Sequence, residues 1–271
     1  MIIGKAISPF ALRKKNGSVP TDADAQAFIT ATGISGTNAT ATNQLVLDLK
    51  SANIWTKMKA IYPFVGGTSA FTHKFNLKDP RDLDAAYRLT FSGGGTFSSN
   101  GYQPNGTNAF ADTKLNTLTN FSSNNCHLSY YSRTDLNTTQ VEIGNGGSAS
   151  GPYCMLYIRA TGSTYFAINQ NTTLTSASDA NSLGFYIGTR TGTVVNGFKN
   201  GTKIATSPTS VATTRPSFNI YIGAVNYANT ATFYSGKQCA FASIGDDLTD
   251  AEALAFRTAV QLFNTTLGRQ V

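Results

Sequence analysis

The feature that most constrains this chain is a change of rhythm at Pro63-Phe-Val-Gly-Gly67. Beyond it, apolar residues alternate with polar ones over short runs, and Gly, Asn, Ser and Thr break the runs every few residues. Period-two alternation between turn formers describes half-buried strands, whereas a helix needs apolar residues at three- and four-residue steps. Many short one-sided strands must bury their apolar faces against one another, and two stacked antiparallel sheets do this within one domain of such length. The expected fold class is all-β, an antiparallel β-sandwich, over residues 61–271.

Candidate strands fall at residues 74–77, 87–91, 127–133, 141–144, 154–160, 164–169, 184–189, 194–199, 202–206, 218–223 and 239–244. The clearest local element is the hairpin around Asn200-Gly201, a pair that accepts the two positive φ angles of a two-residue turn. No repeat of 20–50 residues is visible, which argues against a solenoid or propeller.

Helices are expected only at the two ends. Residues 1–20 lack periodicity and carry Pro9, Gly17 and Pro20, so they form an extended arm. Residues 21–60 hold a two-helix cap. Its first helix opens at Thr21, with Asp24 completing a capping-box variant, and closes at Gly33. Its second runs from about residue 41 to 53, with Leu45, Leu49 and Ala52 on one face. Near the end of the chain, Thr249 and Glu252 make a full capping box. Ala253, Phe256, Val260, Phe263 and Leu267 then recur at helical steps as one apolar stripe.

Composition narrows the function classes. Only 13% of the 271 residues are charged, against roughly 25% in ordinary soluble domains. The formal net charge is +7, but Lys and Arg are dispersed and only Arg13, Lys14 and Lys15 form a run, so no nucleic-acid surface is expected. No stretch approaches the ~20 apolar residues of a membrane span, so no membrane insertion is expected. The first residues do not read as a signal peptide, which implies synthesis in a cytoplasm. Cys126, Cys154 and Cys239 lack paired spacing and are expected as free buried thiols.

Catalytic and metal-binding chemistry has little to work with. The chain has 14 acidic residues and two histidines. The acidic cluster Asp79, Asp82 and Asp84 lies in a proline-containing turn, where carboxylates cap backbone amides. His73 and His127 have no carboxylate or thiol at ligand spacing. Gly93-Gly-Gly95 and Gly144-Asn-Gly-Gly147 lack the strand-to-helix context of a phosphate cradle and are expected as loops. No enzyme activity, metal or cofactor is expected.

One constellation points to binding. Alternation places Tyr131 with Arg133, Tyr157 with Arg159, Tyr186 with Arg190, and Tyr221 on the sides of four strands expected to face away from the core. Tyrosine and arginine on one sheet face suit sugar stacking, suit a protein interface equally, and suit a face covered by the chain's own helices.

Several stretches have a familiar look. Ile54-Trp-Thr-Lys-Met-Lys-Ala-Ile-Tyr-Pro-Phe-Val-Gly-Gly67 and Phe75-Asn-Leu-Lys-Asp-Pro-Arg-Asp-Leu-Asp-Ala-Ala-Tyr-Arg-Leu-Thr-Phe-Ser-Gly-Gly94 resemble segments of structural proteins of tailed bacteriophages, as do residues 105–112, 127–133 and 233–250. The resemblance implies a concanavalin A-like (laminin G-type) jelly roll displayed on a virion, in a fibre, tail appendage or capsid decoration. It further implies other virion proteins as partners, assembly as a homo-oligomer and a host-surface glycan as ligand; a stand-alone carbohydrate-binding module is the alternative. Within that picture the arm, with Ile2, Ile3, Ile7, Phe10 and Leu12 unable to bury themselves locally, is expected to anchor the subunit on a neighbour.

Overall fold

The computed structural model describes residues 21–148, 151–171, 174–207 and 215–271. The expected anchoring arm lies outside the described residues. In chain order the elements are α1 (Ala23–Thr32), α2 (Gly36–Ser51), β1 (Met58–Tyr62), α3 (Ala70–His73), β2 (Thr90–Ser92), β3 (Thr96–Ser98), β4 (Gly101–Gln103), β5 (Phe110–Asn116) and α4 (Thr117–Asn120). Then follow β6 (Asn125–Ser132), β7 (Ile143–Gly146), β8 (Tyr153–Ala160), β9 (Ser163–Gln170), β10 (Thr175–Ser178), β11 (Gly184–Thr191), β12 (Val194–Lys199) and β13 (Thr202–Ser207). The last are β14 (Asn219–Ile222), β15 (Val225–Tyr227), β16 (Thr230–Thr232), β17 (Cys239–Gly245) and α5 (Asp250–Thr266).

The strands form the expected sandwich. The inner sheet runs β13-β12-β11-β6-β17-β4-β3, with β1 also paired to β17. The outer sheet runs β10-β9-β8-β7-β14-β5-β2, with β15 and β16 attached beside β7. The β15–β7 contact is parallel. Three layers result, because α1, α2 and α5 cover the far side of the inner sheet.

Strand alternation fills two cores at once. Between the sheets lie Leu128, Tyr130, Ile143, Leu156, Ile158, Phe166, Tyr186 and Ile222. Between the inner sheet and the helices lie Tyr131, Phe185, Ile187 and Phe241 with Phe28, Leu45, Phe256, Val260 and Phe263. Phe185 sits edge-on to both Phe241 and Phe256, with centroids 5.9 and 5.2 Å away, in the geometry aromatic quadrupoles favour. The central strands of the inner sheet, β6, β11 and β17, are thus buried on both faces.

The end helices follow their caps. Thr249 and Glu252 exchange both capping-box hydrogen bonds, and Ala253, Phe256, Val260 and Phe263 of the expected stripe are buried. Gly33 closes α1 in the left-handed region at φ +70°. The α1 cap is Asp22, not Thr21: its carboxylate accepts from the Asp24 amide and also holds Lys50 of α2. A carboxylate that meets both an amide and an ammonium outcompetes a neighbouring hydroxyl. The second helix starts earlier than expected, at Gly36 after Ser35.

Residues 74–77, expected as a strand, are not one. The buried Asn76 side chain substitutes for a neighbouring strand: its carbonyl accepts from the Ile61 amide, and its amide group donates to the carbonyls of Lys59 and Ala86. The Asn200-Gly201 turn has the required positive angles of 51° and 81°, and β12 pairs with β13 across it. All three cysteines are buried and free.

The region after α5 is fastened by Arg269, which is 1% exposed. Its guanidinium donates to the carbonyls of Pro63, Phe64, Ser99 and Ala240 and to the Asn264 side chain. Burial lowers its pKa to about 9.

Candidate functional site: an uncharged aromatic trough on the outer sheet

The outer sheet has one face on the sandwich core and one free of the helices. Its free face carries Tyr153, Met155 and Tyr157 from alternate positions of β8. Across the β8–β9 ladder Tyr157 is opposite Tyr165, and the two rings meet edge-on at 6.1 Å. On the other side of β8, Met155 pairs with Gly144 and Tyr153 with Gly146. Beyond β7, Tyr221 is aligned with Gly144 and Tyr227 with Gly146.

The two glycines of β7 therefore make room for the large side chains of the neighbouring strands. A Cβ on Gly146 would come within 2.8 Å of the Tyr153 ring and 3.6 Å of the Tyr227 ring. One on Gly144 would meet Met155 at 2.2 Å. The Gly144-to-Gly147 segment, expected as a loop, is largely strand β7. Its glycines are there because neighbouring side chains occupy the space above them.

Two adjoining depressions result. One, of about 390 Å³, is lined by Tyr153, Met155, Tyr157, Leu174, Val225, Tyr227 and Phe233. The other, of about 410 Å³, is lined by Thr139, Tyr157, Ala160, Thr161, Tyr165, Leu174 and Phe233. Tyr157, Leu174 and Phe233 belong to both. Phe233 is 49% exposed although its ring lies 6.4 Å from that of Tyr157, an apolar ring kept in water at the trough's edge.

The lining contains no Asp, Glu, Lys, Arg or His. Burial, reinforced by the neighbouring Tyr153 phenol and Glu142, raises the Tyr157 pKa to about 12. The Tyr153 phenol is also pushed up by burial. Close by, next to β8, Glu142 and Lys237 form an ion pair of 3.0 Å with neither side chain exposed. Glu142 also accepts from Ser235 and from the Ile158 amide, so both its oxygens are occupied and it pins the backbone one residue from Tyr157.

The seven Tyr and Arg candidates do not share a face. Tyr131 lies under α5, with its hydroxyl donating to Gln261, and Arg133 donates to the Arg269 carbonyl. Tyr186 and Arg190 are fully buried, the reverse of the expected outward orientation. Tyr186 points between the sheets and donates to Asp179, while Arg190 bonds the carbonyls of Ile168, Asn169 and Gly192. Phe185 and Ile187 face the helices instead. Helices covering the inner sheet make both of its faces apolar, so alternation alone could not distinguish them.

Tyr157, Arg159 and Tyr221 belong to the outer sheet. Tyr157 is central to the trough. Arg159 is held by Asp135 at 2.6 Å, and Tyr221 stacks on Phe110 at 4.5 Å. Tyr153, Tyr165, Tyr227 and Phe233 were not singled out from the sequence. Tyr153 has the same strand parity as Tyr157, and Tyr165 follows across a tight turn at Thr161-Gly162; together these were the available signal.

The other chemistry candidates are structural. The Nε2 of His73 donates to the Gly67 carbonyl. His127 bonds the Asp246 carbonyl and Ser243. Asp79, Asp82 and Asp84 pair with Arg81, Lys74 and Arg88. Among the described residues no cluster of three His, Cys, Asp or Glu could hold a metal, and no helix is long and apolar enough to cross a membrane.

No family model matches the chain, and no curated protein matches it in sequence. Among solved structures it is similar to a mutant of Trypanosoma rangeli sialidase displaying trans-sialidase activity, with TM-score 0.55 and 11% identity over 83% of this chain and 39% of that one. It is also similar to a mutant of NanB sialidase from Streptococcus pneumoniae, with TM-score 0.47 and 15% identity over 60% of this chain. A third similarity is to the CBM40 of Ruminococcus gnavus IT-sialidase bound to α2,3-sialyllactose, with TM-score 0.38 and 17% identity over 49% of this chain and 80% of that one. The chain spans about a quarter, 27%, of the NanB sialidase it matches. The likeness to the Trypanosoma rangeli enzyme is one of fold, and the chain is an antiparallel β-sandwich with small helices at its two ends.

Proposed function

We propose that this protein is a glycan-binding β-sandwich that performs no catalysis and is displayed on a bacteriophage virion, where it serves host attachment. The observation that carries the binding reading is the trough of Tyr153, Tyr157, Tyr165, Tyr227 and Phe233 on the uncovered face of the outer sheet. Aromatic rings offer flat apolar surface to the C–H face of a sugar ring, and phenol and threonine hydroxyls at the rim offer hydrogen bonds to its hydroxyls. The absence of Asp and Glu from the lining supports binding without hydrolysis by the usual pair of acidic groups.

A glycan array probed with the whole protein tests the binding reading, with Tyr157→Ala as control. Binding that falls at least about tenfold in the variant is expected, a loss of roughly 1.4 kcal/mol. Binding unaffected by Tyr157→Ala would remove the trough from the proposal.

The virion setting rests on the sequence resemblance to tailed-phage structural proteins. On this reading the partners are other virion proteins and further copies of the same chain. Mass spectrometry of purified particles should detect the protein in multiple copies. A stand-alone carbohydrate-binding module, absent from particles, is the competing reading.

A further inference from the structure

We propose that the trough takes an uncharged, linear oligosaccharide whose consecutive rings occupy two subsites meeting at Tyr157. This deepens the glycan-binding reading and rests on it. The two depressions share Tyr157, Leu174 and Phe233, and each has aromatic residues of its own: Tyr153 and Tyr227 in one, Tyr165 in the other. A ligand that covers both uses the shared wall twice, which a single ring cannot do.

Charge decides the ligand class. Sialic acid and uronic acids carry a carboxylate that a binding site meets with a cation or with converging amide donors. The eleven residues lining the two depressions include no Lys, Arg or His. Arg159, two residues along β8 from Tyr157, is outside the lining, and its Nη1 is engaged by Asp135. Lys237 is outside the lining, wholly buried and held by Glu142. A carboxylate placed in the trough would lose its hydration without gaining a partner, and burying an unpaired charge is strongly unfavourable. The shared fold with a sialidase therefore does not extend to an anionic sugar here.

The full-length protein should be titrated calorimetrically with neutral gluco- and galacto-oligosaccharides of one, two and four residues, with lactose and with α2,3-sialyllactose. The four-residue ligands are expected to bind at least about tenfold tighter than the monosaccharides, and about 0.5 M salt should change the affinity less than twofold because no charge is screened. Tyr227→Ala and Tyr165→Ala should each reduce the tetrasaccharide towards the affinity of the disaccharide, with thermal melts confirming that the variants fold. Sialyllactose binding tighter than lactose, or affinity independent of chain length, overturns this inference and leaves the glycan-binding reading standing. No binding to any sugar of the panel or of the glycan array overturns both.

Discussion

Lys237 Nζ lies 3.0 Å from Glu142 Oε1, and neither side chain is exposed to solvent. In a protein with few charges, this pair joins the segment entering β17 to the one entering β7, and Glu142 also accepts from the Ile158 amide of β8. Desolvation pushes the Glu142 carboxyl above its usual range, opposed by Lys237, Ser235 and the Ile158 amide.

Breaking the pair from one side leaves a buried charge. Lys237→Met should destabilise the protein by about 3–5 kcal/mol, and adding Glu142→Gln should restore the larger part, because a neutral pair needs no counter-charge. Urea unfolding of the two variants and the parent checks this. Equal destabilisation in the single and double variants would show that packing, and not charge, dominates at this point.

The buried histidines set an acid limit. Burial lowers the pKa of both His73 and His127 from 6.5 to about 4. A folded-state pKa below the unfolded one means that the unfolded chain takes up protons first as pH falls. The stability these groups contribute is therefore complete above pH 6.5 and is lost towards pH 4, by up to roughly 3 kcal/mol for each histidine. The Asp246 carbonyl can only accept, so His127 carries its proton on Nδ1 and Ser243 donates to Nε2. His127→Asn should reduce the slope of stability against pH in this window by up to about 1.4 kcal/mol per pH unit. Urea midpoints between pH 7 and pH 4.5 give that slope, and an unchanged slope contradicts the assignment.

The two glycines of β7 should respond differently. Gly144 has φ +151°, and a Cβ there would lie 2.4 Å from the Met155 Cα and 2.5 Å from the Cys154 carbonyl oxygen. Gly144→Ala is expected to destabilise by more than about 2 kcal/mol, because backbone must move. At Gly146 the closest atom is the Tyr153 ring, a side chain that can turn. Gly146→Ala should fold with a melting temperature within a few degrees of the parent and bind sugar more weakly. Melting curves and one titration distinguish the two sites.

The arm of residues 1–20 is proposed as an anchor on a neighbouring subunit. Removing residues 1–16 should leave the melting temperature nearly unchanged while the protein no longer joins oligomers or particles, as read by light scattering and particle incorporation. A large drop in melting temperature would place the arm in the protein's own core.

Much of this fold was legible because local chemistry and tertiary packing agree. Thr249 and Glu252 announce α5, Asn200-Gly201 announces its hairpin, and the alternating runs announce the sandwich. The failures arise where tertiary context decides. Residues 74–77 look extended, but Asn76 satisfies the backbone groups that a strand would have paired. Tyr186 and Phe185 are adjacent and both apolar enough to be core, and only the helices over the inner sheet determine which ring goes where. Of the trough, Tyr157 was visible in advance. Tyr227 and Phe233 were not, because short β15 and the segment after β16 reach the site through a parallel pairing that no sequence period encodes.

The position of β17 has a consequence for how the protein is made. This strand pairs with β6 on one side and with β1 and β4 on the other, so the middle of the inner sheet comes from residues 239–245, while its neighbours are synthesised 100 to 180 residues earlier. Until β17 leaves the ribosome, β6 and β1 present unsatisfied edges and an apolar face without its helix α5. Pairings so distant in sequence close slowly, on the millisecond-to-second scale typical of sandwiches, and exposed edges invite wrong partners in the meantime. The nascent chain thus passes through a stage open to mispairing, and synthesis at lowered temperature should raise the soluble fraction.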